Sequence, residues 1–207
     1  MTAALALAER GLGAVWPNPA VGCVLVNDGR VVGRGWTQAG GRPHAEIEAL
    51  ARAGNAAKGA TAYVTLEPCA HHGKTGPCAE ALAEAGIARL VAAMADPDGR
   101  VAGRGFAHLE AAGIEISVGL GGAEAARLNA GFLRRIESGR PLVTLKLATS
   151  MDGRIATHSG DYGVLALHNE CADVGGVLVG SLIISKELNA ASGVGTHYII
   201  KCIHLTE

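Results

Sequence analysis

"ATAYVTLEPCAHHGKTGPCAEALAEAGIARLVAAM", residues Ala60 to Met94, decides the fold. Its opening, "ATAYVTL", is a short apolar run with β-branched and aromatic members, which reads as a buried strand. "PCAEALAEAG" begins with Pro77 and ends with Gly86, the start and stop signals of a helix. "ARLVAAM" is a second strand. Strand, loop, helix and strand in that order predict an α/β architecture with a largely parallel sheet. Ligands in such sheets bind at the carboxyl ends of strands, beside helix N-termini.

The same alternation extends both ways. Upstream, "VGCVLVNDGRVVGRGW" (Val21–Trp36) reads as two strands joined by the turn Asn27-Asp28-Gly29. "RPHAEIEALARAG" reads as a helix, with Pro43 in its first turn, Ile47 and Leu50 on one face and Gly54 at its stop. "MTAALALAERGLG" is an amphipathic helix. Downstream, "GRGFAHLEAAG" is a helix, "IEISVGL" a strand and "AEAARLNAGFLRRIESG" one longer helix. A break at Glu137–Pro141, "ESGRP", marks a linker, giving an expected first domain over residues 1–138 and a second segment over 139–207.

Composition narrows the function classes. The 207 residues are 49% hydrophobic and carry a formal net charge of −1, so the core is ample and no basic face is available for nucleic acid. No apolar run reaches the roughly 18 residues of a membrane span, and the N-terminus lacks a secretory pattern. A cytoplasmic setting is expected, where lasting disulfides are uncommon. Five cysteines is an odd number. Cys69 and Cys78 are therefore read as metal-binding thiolates rather than a disulfide.

His44 completes the set. A catalytic zinc site needs three protein ligands and one open position, and His44, Cys69 and Cys78 supply three. Glu46, two residues after His44, is the expected proton carrier. His-x-Glu followed by Pro-Cys-x-x-Cys is the zinc-deaminase signature, with the glutamate as general acid/base. Here Pro68-Cys69 fits, but eight residues separate the two cysteines instead of two. His71 and His72 are alternative ligands that we read instead as pocket-lining or solvated. Cys23, in an apolar strand, is read as core. A nucleoside or tRNA deaminase and a purely structural zinc module are competing readings. The first would be expected to show Cys-x-x-Cys. The second would leave Glu46 dispensable.

The motifs "PNPAVGCVLV", "GWTQAGGRPHAEIEAL", "YVTLEPCAHHGKTGPCAEAL", "DPDGRVAGRG", "LNAGFLRRI" and "RPLVTLKLATSMDGRIA" resemble the bifunctional riboflavin biosynthesis deaminase–reductases over roughly residues 1–161. In that family the long cysteine loop with His-His-Gly-Lys-Thr is the usual form. The resemblance implies a three-layer α/β/α cytidine-deaminase-like sandwich followed by a fragment of a dihydrofolate-reductase-like domain. It implies Zn2+ on His44, Cys69 and Cys78, with Glu46 as proton shuttle. The implied substrate is a small pyrimidine ribosyl phosphate, 2,5-diamino-6-ribosylamino-4(3H)-pyrimidinone 5′-phosphate, which loses its 2-amino group. Asn18, Lys74, Asp96 and Arg104 are the implied substrate-binding residues. Asp98 and Gly99 depart from the family's Asp-Pro-Asn-Pro, and Thr37 stands where many members have histidine, so Thr37 is assigned no role. Lys146, Ala148 and Asp152 fall at the family's NADPH-side positions. However, Tyr162–Ala166 stands where the family shows Ser-x-Trp-Ile-Thr. Reduction with NADPH is therefore expected to be absent or to need another chain. Association into a homo-oligomer is left open.

Overall fold

The computed structural model describes residues 1–71, 73, 76–99, 101–146, 183–185, 197–199 and 202–206. The chain divides into two compact units, Met1–Arg140 and Pro141–Thr206.

The first unit is built on a five-stranded sheet. Its strands are β1 (Gly22–Asn27), β2 (Arg30–Trp36), β3 (Thr61–Val64), β4 (Arg89–Ala92) and β5 (Glu115–Val118), in the order β2-β1-β3-β4-β5. The β1–β2 hairpin turns through Asp28 (φ 48) and Gly29 (φ 72), both left-handed, as the Asn-Asp-Gly turn predicts. The sheet is mixed rather than largely parallel. β1 pairs antiparallel with β2 and β3, whereas β3–β4 and β4–β5 are parallel. The physical reason is that the segment between β1 and β3 holds a hairpin strand as well as a helix, so the chain reverses once more before entering β3.

Six helices flank this sheet: α1 (Thr2–Ala8), α2 (Ala45–Ala53), α3 (Cys78–Glu84), α4 (Arg104–Ala111), α5 (Gly122–Leu128) and α6 (Ala130–Ser138). Glycines show how α1 and α2 divide between the faces. A Cβ on Gly22 would strike the Ala4 carbonyl of α1, while a Cβ on Gly35 would strike the Ala45 carbonyl of α2. Gly35 pairs with Cys23, the neighbour of Gly22 in the same strand. Adjacent strand residues face opposite sides, so α1 and α2 lie on opposite faces and the unit has three layers. Cys23, Leu25, Ala62, Val64, Leu90 and Ala92 are in register across β1, β3 and β4 on the α2 side. They join Ala45, Ala49, Leu82 and Leu109 in one buried core.

Two local departures from the sequence reading have physical causes. Helix α2 starts at Ala45, two residues after Pro43, with His44 as its N-cap residue. The expected long helix over 123–139 is broken into α5 and α6 at Asn129 (φ −102, ψ 21). The Asn129 carboxamide accepts the Ala20 N–H (2.8 Å) and donates to the Ala20 carbonyl (2.9 Å). Those two buried bonds hold the residue out of helical geometry.

In the second unit, β6 (Leu142–Lys146) pairs antiparallel with β9 (Cys202–Thr206), and β7 (Ile183–Ser185) with β8 (His197–Ile199). Of the residues expected on the NADPH side, Lys146 ends β6, while Ala148 and Asp152 lie outside the described residues.

Gly35→Ala is expected to destabilise the first unit by about 1–3 kcal/mol, the usual cost of overpacking, because a backbone carbonyl of α2 must retreat. Denaturant unfolding with zinc held saturating measures it.

Candidate active site

Three elements deliver the donors. His44 caps α2, Cys69 follows the end of β3 through Thr65–Pro68, and Cys78 is the first residue of α3. His44 Nδ1 lies 3.6 Å from Cys69 Sγ and 3.3 Å from Cys78 Sγ. All three ligand atoms fall within 4.8 Å of one another. A tetrahedral zinc with bonds of about 2.0–2.1 Å to nitrogen and about 2.3 Å to sulfur places such donors roughly 3.5–3.8 Å apart. The donor set therefore fits zinc by geometry and by chemistry.

The protein prepares the charge state. The Cys78 side chain hydrogen-bonds to Cys69 and brings the Cys69 thiol down to about 4, helped by His44. The same bond, with burial, pushes Cys78 well above the ordinary thiol range. The Cys69 thiolate in turn raises His44. The Cys78 backbone N–H also donates to Cys69 Sγ at 3.3 Å. Glu46, in the first turn of α2, is 4% exposed, and its burial pushes its carboxyl up to about 7.

These groups open onto a cavity of about 620 Å3 whose lining includes Asn18, His44, Glu46, Cys69 and Asp96. The Asn18 amide nitrogen donates to the Gly41 carbonyl at 2.7 Å and lies 3.2 Å from His44 Nε2.

Residues 1–94 match the family model for the cytidine and deoxycytidylate deaminase zinc-binding region. Over 161 residues the chain is 57% identical to the riboflavin biosynthesis protein RibD of Escherichia coli, covering 78% of this chain and 44% of that protein. Among solved structures it superposes on a diaminohydroxyphosphoribosylaminopyrimidine deaminase/5-amino-6-(5-phosphoribosylamino)uracil reductase of Thermotoga maritima with a TM-score of 0.77. Identity there is 40%, over 83% of this chain and 50% of that one. Acinetobacter baumannii RibD, form 2, gives a TM-score of 0.70 at 51% identity, over 77% of this chain and 45% of that one. The chain thus carries a cytidine-deaminase-type zinc-binding region over residues 1–94 and is similar to the RibD proteins over 161 residues. It spans about half or less of the length of these RibD relatives.

Not every expected site residue reaches the cavity. Asn18 and Asp96 line it. Arg104 does not: it is exposed at the start of α4. The cause lies next to it, where Gly105 is pressed against the Pro68 carbonyl, so the side chain before it is turned outward. Lys74 lies outside the described residues.

Two residues were given no role by sequence reasoning. Thr37, buried in the cavity wall, accepts the Val21 N–H (3.0 Å) and donates to the Pro19 carbonyl (3.1 Å), so its hydroxyl holds the Pro19–Val21 strand entry. Glu67, only 4% exposed, accepts backbone N–H groups from Asp96 (3.2 Å), Gly103 (3.0 Å), Gly105 (3.0 Å) and Phe106 (3.4 Å). It ties the cysteine loop to the Asp96–Val101 wall and to the N-terminus of α4. A carboxylate directly after an apolar strand and before a proline is the one sequence signal that could have found it.

Glu67→Ala strands these donors. Each one left dry costs about 1–3 kcal/mol, so a marked fall in unfolding free energy is expected. Chemical denaturation of the zinc-loaded protein measures it.

Proposed function

We propose that the chain is a zinc-dependent aminohydrolase of riboflavin biosynthesis. In this reading it removes the 2-amino group of the pyrimidinone ribosyl 5′-phosphate as ammonia, with water supplying the new carbonyl oxygen. The observation that carries the proposal is the placement of a buried glutamate, Glu46, in the same cavity as His44 and Cys69, two members of the zinc-fitting His44–Cys69–Cys78 set.

Bound zinc supplies Lewis acidity that makes water a competent nucleophile near neutral pH. The remaining work belongs to the side chains. Glu46 takes one proton from the attacking water at its carboxylate and passes it to a ring nitrogen, then takes the second proton of the same water and gives it to the departing amine, ending deprotonated as it began. Asn18 orients the pyrimidine through its carboxamide. Asp96, which also lines the cavity, is assigned to the substrate on the family resemblance. His44, Cys69 and Cys78 hold the metal, and Lys74 is assigned to the phosphate on the family resemblance.

Within this reading the partner is a small molecule rather than nucleic acid, and the setting is the cytoplasm. Free thiols at Cys23, Cys69 and Cys78 suit a reducing compartment. Among the described residues no helix is long and apolar enough to cross a membrane. NADPH-dependent reduction is not assigned to this chain, because Tyr162–Ala166 departs from the family's cofactor segment.

Glu46→Gln is the direct test. Zinc content is expected to stay at one per chain while ammonia release falls on the order of 10²–10⁴-fold, the range for losing a general acid/base group. Turnover at the native rate would reject the role of Glu46. Stripping the metal with a chelator is expected to abolish ammonia release and lower the melting temperature, with both restored on adding back Zn2+.

A further inference from the structure

The cavity has a wall that the zinc chemistry does not use. Helix α6 contributes Phe132, Arg135 and Ile136 to the lining, positions three and four apart and therefore on one helix face. This helix is fixed to the Pro17–Ala20 segment at both ends of that segment. Asn129 grips both backbone groups of Ala20. Arg135 Nη2 donates to the Pro17 carbonyl at 2.7 Å. Asn18, beside His44, lies between those two ties.

Arg135 has more to offer than that one bond. Its guanidinium lies over the Phe132 ring, 5.5 Å from the centroid. Its Nε is buried and makes no hydrogen bond. Among the described residues it is in none of the acid–base pairs Arg52–Glu48, Arg89–Glu115 and Arg127–Glu124. Two carboxylates of the cavity are engaged elsewhere. Glu67 is held by backbone N–H groups, and Asp96 Oδ1 accepts the Asp98 N–H at 2.9 Å. A half-buried guanidinium outside those pairs favours an anion, and its planar fork matches phosphate oxygens.

We propose that Arg135 is a substrate-binding residue that receives the anionic ribosyl-phosphate end of the pyrimidine, while its bond to Pro17 fixes that end at a set distance from Asn18 and the metal centre. The proposal rests on the deaminase reading above. The anion is the substrate's own phosphate, and inorganic phosphate is expected to compete with it.

The test compares the zinc-loaded wild type with Arg135→Met and Arg135→Lys, using the phosphorylated pyrimidine and its dephosphorylated riboside as substrates. Ammonia release, zinc content and melting temperature are read for each protein. Arg135→Met is expected to raise KM for the phosphorylated substrate at least about tenfold, the equivalent of one charge-assisted hydrogen bond. Its kcat is expected to stay within roughly threefold, and its KM for the riboside to stay unchanged. Arg135→Lys keeps the charge and loses the fork, so a smaller KM increase confined to the phosphorylated substrate is expected. It carries the comparison if Arg135→Met does not fold. Equal losses on both substrates, or a loss mainly in kcat, would show that Arg135 only braces the Pro17 loop and would overturn the proposal. Unchanged kinetics in both variants would overturn it as well. A wild type that releases no ammonia from either substrate defeats the deaminase reading and this inference together. An active wild type with indifferent variants defeats the inference alone.

Discussion

The Cys78 backbone N–H donates to the Cys69 sulfur, and the rest of the centre depends on that bond. It joins the first residue of α3 to the end of the chain segment leaving β3. The Ala79 N–H adds a second tie to the Cys69 carbonyl at 3.1 Å. Together they close the loop between the cysteines at its base. The spacing of eight residues instead of two then becomes a detail of the loop, since the ends meet whatever lies between them. Charge is set at the same place, mainly by the Cys78 side chain. A thiolate at Cys69 is favoured by a hydrogen-bonding thiol, a backbone donor and a neighbouring imidazole, so part of the deprotonation that metal binding requires is built into the fold.

Two supports keep this centre in place from different directions. On the α2 side, Gly33 and Gly35 let helix backbone lie directly against β2, where any side chain would meet the Ala49 or Ala45 carbonyl. That close approach sets the position of His44 and Glu46, one at the N-cap and one in the first turn. On the α4 side, Glu67 gathers the N–H groups of the loop and helix start, and Gly105 allows Pro68 to approach. A negative charge at a helix N-terminus is also favoured by the helix dipole. The first support is packing and the second is polar, which makes the two independent of one another. Neither touches the reacting atoms.

The strands, most helices and the metal donors were legible in the sequence because each rests on local signals. Strand runs, the Asn27–Gly29 turn and the proline and glycine helix boundaries need only neighbours. The grouping of His44, Cys69 and Cys78 was legible because few chemistries place those residue types in that order. What escaped depends on contacts distant in sequence. The break at Asn129 is set by Ala20, over a hundred positions away. The mixed sheet follows from where the hairpin docks. Glu67 looks like an ordinary loop acid until its backbone partners are seen. Arg104 was misplaced because its neighbour Gly105, not the arginine, is the residue facing inward.

The cavity also separates what is shared from what is particular. All three metal donors and Glu46 fall inside residues 1–94, the span of the zinc-binding deaminase region. Asp96, Asp98 and Val101, and the α6 residues Phe132, Arg135 and Ile136, come from beyond it. These outer walls are built from a loop braced by Glu67 and a helix braced by Asn129. A buried acid and a buried amide, neither of them a metal donor, thus hold the outer surfaces of the cavity. Arg135 stands on that helix wall, so the charge it brings to the cavity is held by contacts separate from those that hold the metal donors.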